Sequence, residues 1–269
     1  LADWLTSAGN PYFAKAIVNR VWANYMGVGL VEPVDDLRVS NPASSPQLME
    51  ALADYLIDHD YDLKSLMRLI MTSRTFQLST TPQSGSEQDK RFYSHYLPQR
   101  LMAEVLHDAV VTVTEVPTPF TQIEFLGADK LATDFYPAGT SALELYDSAV
   151  ANYFLKTFGR HQRRITCDCE RSDQPTVVQV LHLNNGDTLN NKLSAEESIT
   201  AKWLAAGLSD QQIIEEAYLR CLGRFPTAAE KERLSGVLND LLADGAPKRE
   251  AIDDLVWSLM TSTEFLFLF

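Results

Sequence analysis

The stretch SDQQIIEEAYLRCLGRFPTAAEKERLSGVL, residues 209–238, is written in helix punctuation. Ser209 with Gln212, and Thr227 with Glu230, hold the spacing of a capping box. In that motif a hydroxyl and a Glu or Gln side chain three residues on satisfy each other's orphan backbone N–H groups. Ser194 with Glu197 repeats the spacing just upstream. One instance is weak; three, each ahead of an amphipathic run, predict a helical C-terminal third.

The same texture extends toward the N-terminus. Asn10-Pro11 offers a helix start, and Phe13, Ile17, Val21 with Trp22, and Tyr25 follow at helical spacing up to a stop at Gly27. Ser45-Pro46 opens a second helix carrying Leu48, Leu52, Tyr55 and Leu56, and Leu63, Leu66, Met67, Ile70 and Met71 mark a third. Residues 99–113 and 149–158 read as helical too. Between them, three prolines and little periodicity predict long loops with a short strand pair. Strand patterns are otherwise scarce, so the expected fold is mainly α.

The chain also matches itself. IVNRVWANYMG from Ile17 aligns on IIEEAYLRCLG from Ile213, and LMRLIMTSRTF from Leu66 aligns on LVWSLMTSTEF from Leu255, in the same order. This predicts a divergent internal duplication of a three-helix unit. The copies would occupy residues 1–80 and 194–269, with an irregular middle region over 81–193, all within one compact domain.

With 36 acidic against 23 basic residues among 269, the net charge is −13. Phosphate backbones and anionic bilayers repel such a chain, which argues against nucleic-acid and membrane-surface partners. No run approaches the roughly 20 apolar residues that span a bilayer. The opening LADWLTSAGNPYF lacks the basic and apolar regions of a signal peptide and has no methionine, so it reads as part of a longer chain.

Several blocks carry a family resemblance. NPYFAKAIVNRVWANYMGVGLVEPVDDLRVSNPAS, LKSLMRLIMTSRTFQLS, PQRLMAEVLHDAV, FGRHQRRITCDCERSDQPTVVQVLHLNNGDTLNNKL and the closing SLMTSTEFLF together resemble the domain of unknown function 1553 family. The C-x-C-E-R-S…L-H-x-x-N-G block is the most specific. The resemblance implies a planctomycete setting and an exported, periplasmic or cell-surface protein, in organisms that degrade complex polysaccharides. It also implies that this chain is the C-terminal part of a larger polypeptide, typically after a cytochrome-c-like segment. Sister domains or a polysaccharide-related ligand are the implied partners. The family supplies no established activity to transfer, and C-x-x-C-H, the haem-attachment motif, is absent from these residues.

The densest chemistry lies in ITCDCERSDQP, residues 165–175. Cys167, Asp168, Cys169, Glu170, Arg171 and Asp173, with His182 beyond, form the candidate pocket. Cys167 and Cys169 with His182 could begin a metal site, but structural zinc wants about four ligands in two close pairs. A disulfide from Cys169 to Cys221 is a second reading, and free thiols packed at a turn a third. The expectation is a structural junction without metal, in which Arg171 pairs with a neighbouring carboxylate and Ser172 or Asp173 caps the next helix. Gln179 and His182 share a face opposite Val177, Val180 and Leu181, which predicts that they point toward loop or solvent. Asn184-Asn-Gly-Asp187 reads as a helix stop and restart with Gly186 left-handed. No P-loop, G-x-S-x-G or H-E-x-x-H motif occurs, and no cofactor is expected. The residues therefore favour a non-catalytic helical binding or scaffolding domain over an enzyme or redox component centred on the Cys167–Arg171 loop.

Overall fold

The computed structural model describes residues 1–5, 7, 9–125, 127–146, 149–160 and 176–268. The fold is mainly α, and the chain divides into two compact units, Leu1–Gln99 and Arg100–Leu268. The first unit extends past its helices because its tail bonds back to them. Tyr96 Oη and Gln99 Nε2 donate to Tyr25 O at 2.9 and 2.8 Å, and Tyr93 Oη donates to Gly29 O at 2.9 Å.

In the first unit a short α1 (Ala2–Leu5) precedes α2 (Phe13–Met26), α3 (Pro46–Asp58) and α4 (Leu63–Met71), and the last three pack mutually. The buried face of α2 is Ala14, Val18, Trp22 and Met26, one position on from the stripe expected. Ile17, Val21 and Tyr25 flank it, partly buried. The rotation brings Asn19 inside, fully buried. Its amide donates to Val31 O at 2.9 Å and Val34 O at 2.7 Å and accepts from Val31 N at 3.0 Å. This side chain thus ties the long α2–α3 connection, which holds only scattered turn hydrogen bonds of its own, to the helix.

In the second unit α5 (Ala103–Thr114), α6 (Tyr153–Thr157), α7 (Val177–Asn185), α8 (Asp187–Ser194) and α9 (Ile199–Ala205) precede α10 (Asp210–Leu222), α11 (Ala228–Ala243), α12 (Lys248–Met260) and α13 (Thr263–Leu266). Their apolar faces, including Leu106 and Val110 of α5, Phe154 of α6, Ile213 and Ala217 of α10 and Val256 of α12, meet in one core. The Ser209 and Thr227 capping boxes form as expected. The Ser194 box does not, because α8 runs through Ser194 and Ser198 caps α9 instead. The short strand pair appears as Gln122–Ile123 antiparallel to Leu131–Ala132.

The sequence match between the two triplets, α2–α4 and α10–α12, reaches their helix ends. Gly27 and Gly223 are both left-handed and donate to Ala23 O and Leu219 O at 2.9 and 3.1 Å. Thr72 and Thr261 donate their hydroxyls to Arg68 O and Trp257 O at 2.8 and 2.9 Å. One residue on, Ser73 and Ser262 accept from Phe76 N and Phe265 N at 3.2 and 3.3 Å. Among the described residues no helix is long and apolar enough to cross a membrane.

Candidate functional site

Of the candidate pocket, Cys167, Asp168, Cys169, Glu170, Arg171 and Asp173 lie outside the described residues, as does the expected Ser172 or Asp173 cap. His182 and the helix that carries it are described. That helix, α7, begins at Thr176, whose hydroxyl accepts from Gln179 N at 3.3 Å while Gln179 Oε1 accepts from Thr176 N at 3.2 Å. Thr176 is therefore its cap.

The face that α7 buries is the reverse of the one expected. Gln179 and His182 are 6% and 8% exposed, whereas Val177, Val178, Val180 and Leu181 are each more than half exposed. Specific polar bonds explain the inversion. Arg100 Nη1 donates to Gln179 Oε1 at 2.5 Å and Nη2 to Phe158 O at 3.1 Å, while Gln179 Nε2 donates to Thr157 O at 3.0 Å. Turning this face outward would strand those groups, and an unmade buried hydrogen bond costs about 1–3 kcal/mol, more where a charge is involved. His182 sits among three rings, Tyr153, Phe154 and Phe158, with centroids 5.1, 5.7 and 6.1 Å away. Its Nε2 hydrogen-bonds Thr188 Oγ1 at 3.1 Å. Burial lowers its pKa and the Asp187 charge opposes that shift, so the environment favours the neutral ring.

Gly186 does separate α7 from α8, but it is extended (φ −80°, ψ 146°) and not left-handed. Its reason for being glycine is contact. A Cβ there would lie 2.2 Å from His182 O and 2.6 Å from His182 Nδ1. Gly186→Ala is expected to cost roughly 1–3 kcal/mol through forced displacement of the His182 turn, read by urea denaturation. A loss below 1 kcal/mol would mean that the turn relaxes freely.

A second polar group sits at the heart of α5 and was not singled out from sequence, although its residues lie in the PQRLMAEVLHDAV block. His107, 1% exposed, bonds Thr118 Oγ1 at 3.0 Å and Asp108 Oδ1 at 3.3 Å. Asp108 in turn accepts from Ser141 Oγ, from Ala142 N at 2.7 Å and from Leu143 N at 3.1 Å, fixing a one-turn 3-10 helix at Ala142–Glu144. The order is serine, aspartate, histidine. A hydrolytic triad needs the imidazole between the other two, so this arrangement holds a loop and does not activate the hydroxyl. Lys192 of α8, 7% exposed, donates to Val116 O, and burial pushes its pKa down to about 8.

Cys221 on α10 is a free thiol, partly buried, and burial pushes it up to about 12, which keeps it protonated and unreactive at neutral pH. Cys169, its proposed partner, lies outside the described residues. Among the described residues no group of three or more His, Cys, Asp or Glu is placed to hold a metal ion. In the first unit, the α2–α3 connection borders two open cavities of about 220 and 240 Å³ that share Asn41 and Pro42 as wall. Tyr12, Val39 and Met49 with Lys15, Arg38 and Glu50 line the first, and Lys90 and Arg91 the second.

Fold and site together define a mainly helical domain whose buried polar side chains brace its own loops. The chain belongs to the PSD1 family, proteins of unknown function (DUF1553), whose profile matches residues 1–238. No curated protein and no solved structure gives a significant match.

Proposed function

We propose that this chain is a non-catalytic binding or scaffolding domain of an exported, multidomain bacterial protein, engaging a polysaccharide-related ligand or sister domains of the same polypeptide. One observation carries this reading. The described groups with catalytic chemistry that the fold buries (His107, His182 and Lys192) are bonded to framework atoms and so are already committed within the fold. Catalysis needs such groups within reach of a substrate atom. The same reading treats the two helix triplets as copies of one unit, on the strength of their matched termini. The exported setting rests on the family's usual company.

The test is to incubate the protein with neutral polysaccharides and follow retention and released reducing ends together. Retention without turnover is the expected result. Turnover abolished by His182→Ala or Cys167→Ser would replace this reading with the enzymatic one. A redox or metal role for the Cys167–Arg171 loop is the second reading, resting on the two thiols of that loop and on buried His182 in the helix that follows. Elemental analysis of chelator-free protein separates the two. About one zinc or iron per chain, lost in Cys167→Ser, would establish the second.

A further inference from the structure

Three aromatic rings of the middle segment form a braced cluster on the surface of the second unit. Phe135 meets Tyr136 at 5.1 Å and Tyr146 at 5.2 Å, both edge to face, and Tyr136 meets Tyr146 at 5.8 Å. Phe135 and Tyr146 are each 61% exposed, whereas Tyr136 packs partly against the core. Isolated exposed aromatics need no explanation, but a contiguous exposed patch marks a contact surface.

The scaffold holds these rings from both sides. Phe135 follows the strand Leu131–Ala132, with its N–H donating to Thr133 Oγ1 at 3.3 Å. Tyr146 follows the turn that Asp108 pins. Between them a tight turn at Pro137–Thr140, with Thr140 Oγ1 donating to Pro137 O at 2.7 Å and Gly139 left-handed at φ +86°, returns the chain. Rings fixed before binding lose little freedom when a ligand arrives.

We propose that Phe135, Tyr136 and Tyr146 form a platform for a neutral glycan, which rests on reading the chain as a binding domain and assigns its ligand class and place. Flat ring faces complement the C–H faces of pyranose rings, as they do other flat or apolar partners. Exposed carboxylates neighbour both outer rings in the chain, Asp134 directly before Phe135 and Glu144 two residues before Tyr146, the latter with Oε2 already accepting from Ser141 N at 3.1 Å. They can accept hydrogen bonds from sugar hydroxyls. On a chain of net charge −13 they also repel sulfated or uronic polymers.

Native affinity electrophoresis of the intact chain, in gels containing hydroxyethylcellulose, galactomannan or arabinoxylan, with dextran sulfate as the polyanion, tests this. At least one neutral polymer is expected to retard the protein and dextran sulfate to leave it unretarded. Phe135→Ala and Tyr146→Ala should each weaken retardation by about tenfold with an unchanged melting temperature, whereas Tyr146→Phe retains it. Retardation that survives both alanine variants would remove the platform and leave the binding-domain reading standing. Retardation by dextran sulfate alone, or by no polymer, would overturn the glycan class. Self-association in sedimentation that Phe135→Ala abolishes would show a protein contact instead.

Discussion

Asn19→Leu is expected to lower unfolding stability by about 3–5 kcal/mol, among the largest effects of any single side chain in the first unit. The asparagine is fully buried and makes three hydrogen bonds to the α2–α3 connection. Leucine fills similar space but leaves Val31 N–H, Val31 O and Val34 O without partners, in a place where Val31 itself is 4% exposed. Each stranded group costs about 1–3 kcal/mol, partly offset where the loop shifts toward water. Urea denaturation gives the stability, and amide exchange at Val31 gives the local effect. A loss under 1 kcal/mol with unchanged exchange would mean that Asn41 and Tyr93, which also bond this connection, suffice to hold it.

Lys192→Met should act in the opposite direction, raising stability by about 2 kcal/mol at pH 7. The ammonium is nine-tenths buried with Val116 O as its hydrogen-bond acceptor, and burial lowers its pKa from 10.5 to about 8. The folded state therefore holds the proton less tightly than the unfolded chain does. Below about pH 8 the native chain pays for holding the charge, and between about 8 and 10.5 it binds fewer protons than the unfolded chain, so stability from this group rises with pH. Methionine removes the charge and gives up one hydrogen bond. The gap between variant and wild type should accordingly be widest at neutral pH and close as pH rises toward 10.5. A gap independent of pH over that window would assign the effect to packing and not to charge.

Helix content and helix ends were the most legible part of the fold. Capping depends on residues three apart, and the Ser209 and Thr227 boxes needed nothing from elsewhere in the chain. Which face a helix buries proved harder to read. On α2 the stripe moved by one position because Asn19, polar and so assigned outward by periodicity, is needed inside to hold Val31 and Val34. On α7 the face reversed because Gln179 answers an arginine 79 residues away. No local window contains that partner. Gly186 was correctly placed at a helix break, but its cause is contact with His182 and not the sign of φ. Of the candidate site, His182 is buried in an aromatic cage. The His107–Asp108 pair, buried at the histidine and half-buried at the aspartate, carried only a faint signal, two adjacent polar residues in a largely apolar helix.

The reversed face of α7 has a bearing on quality control in the cell. Hydrophobic-sensing chaperones bind short runs such as VVQVLHL, from Val177 to Leu183, and ordinarily let go when folding buries them. Here Val177, Val178, Val180 and Leu181 remain on the surface after the helix has formed and its polar side has docked. Completing this unit therefore withdraws the extended backbone from such binders by making it helical, while the apolar side chains themselves stay in water.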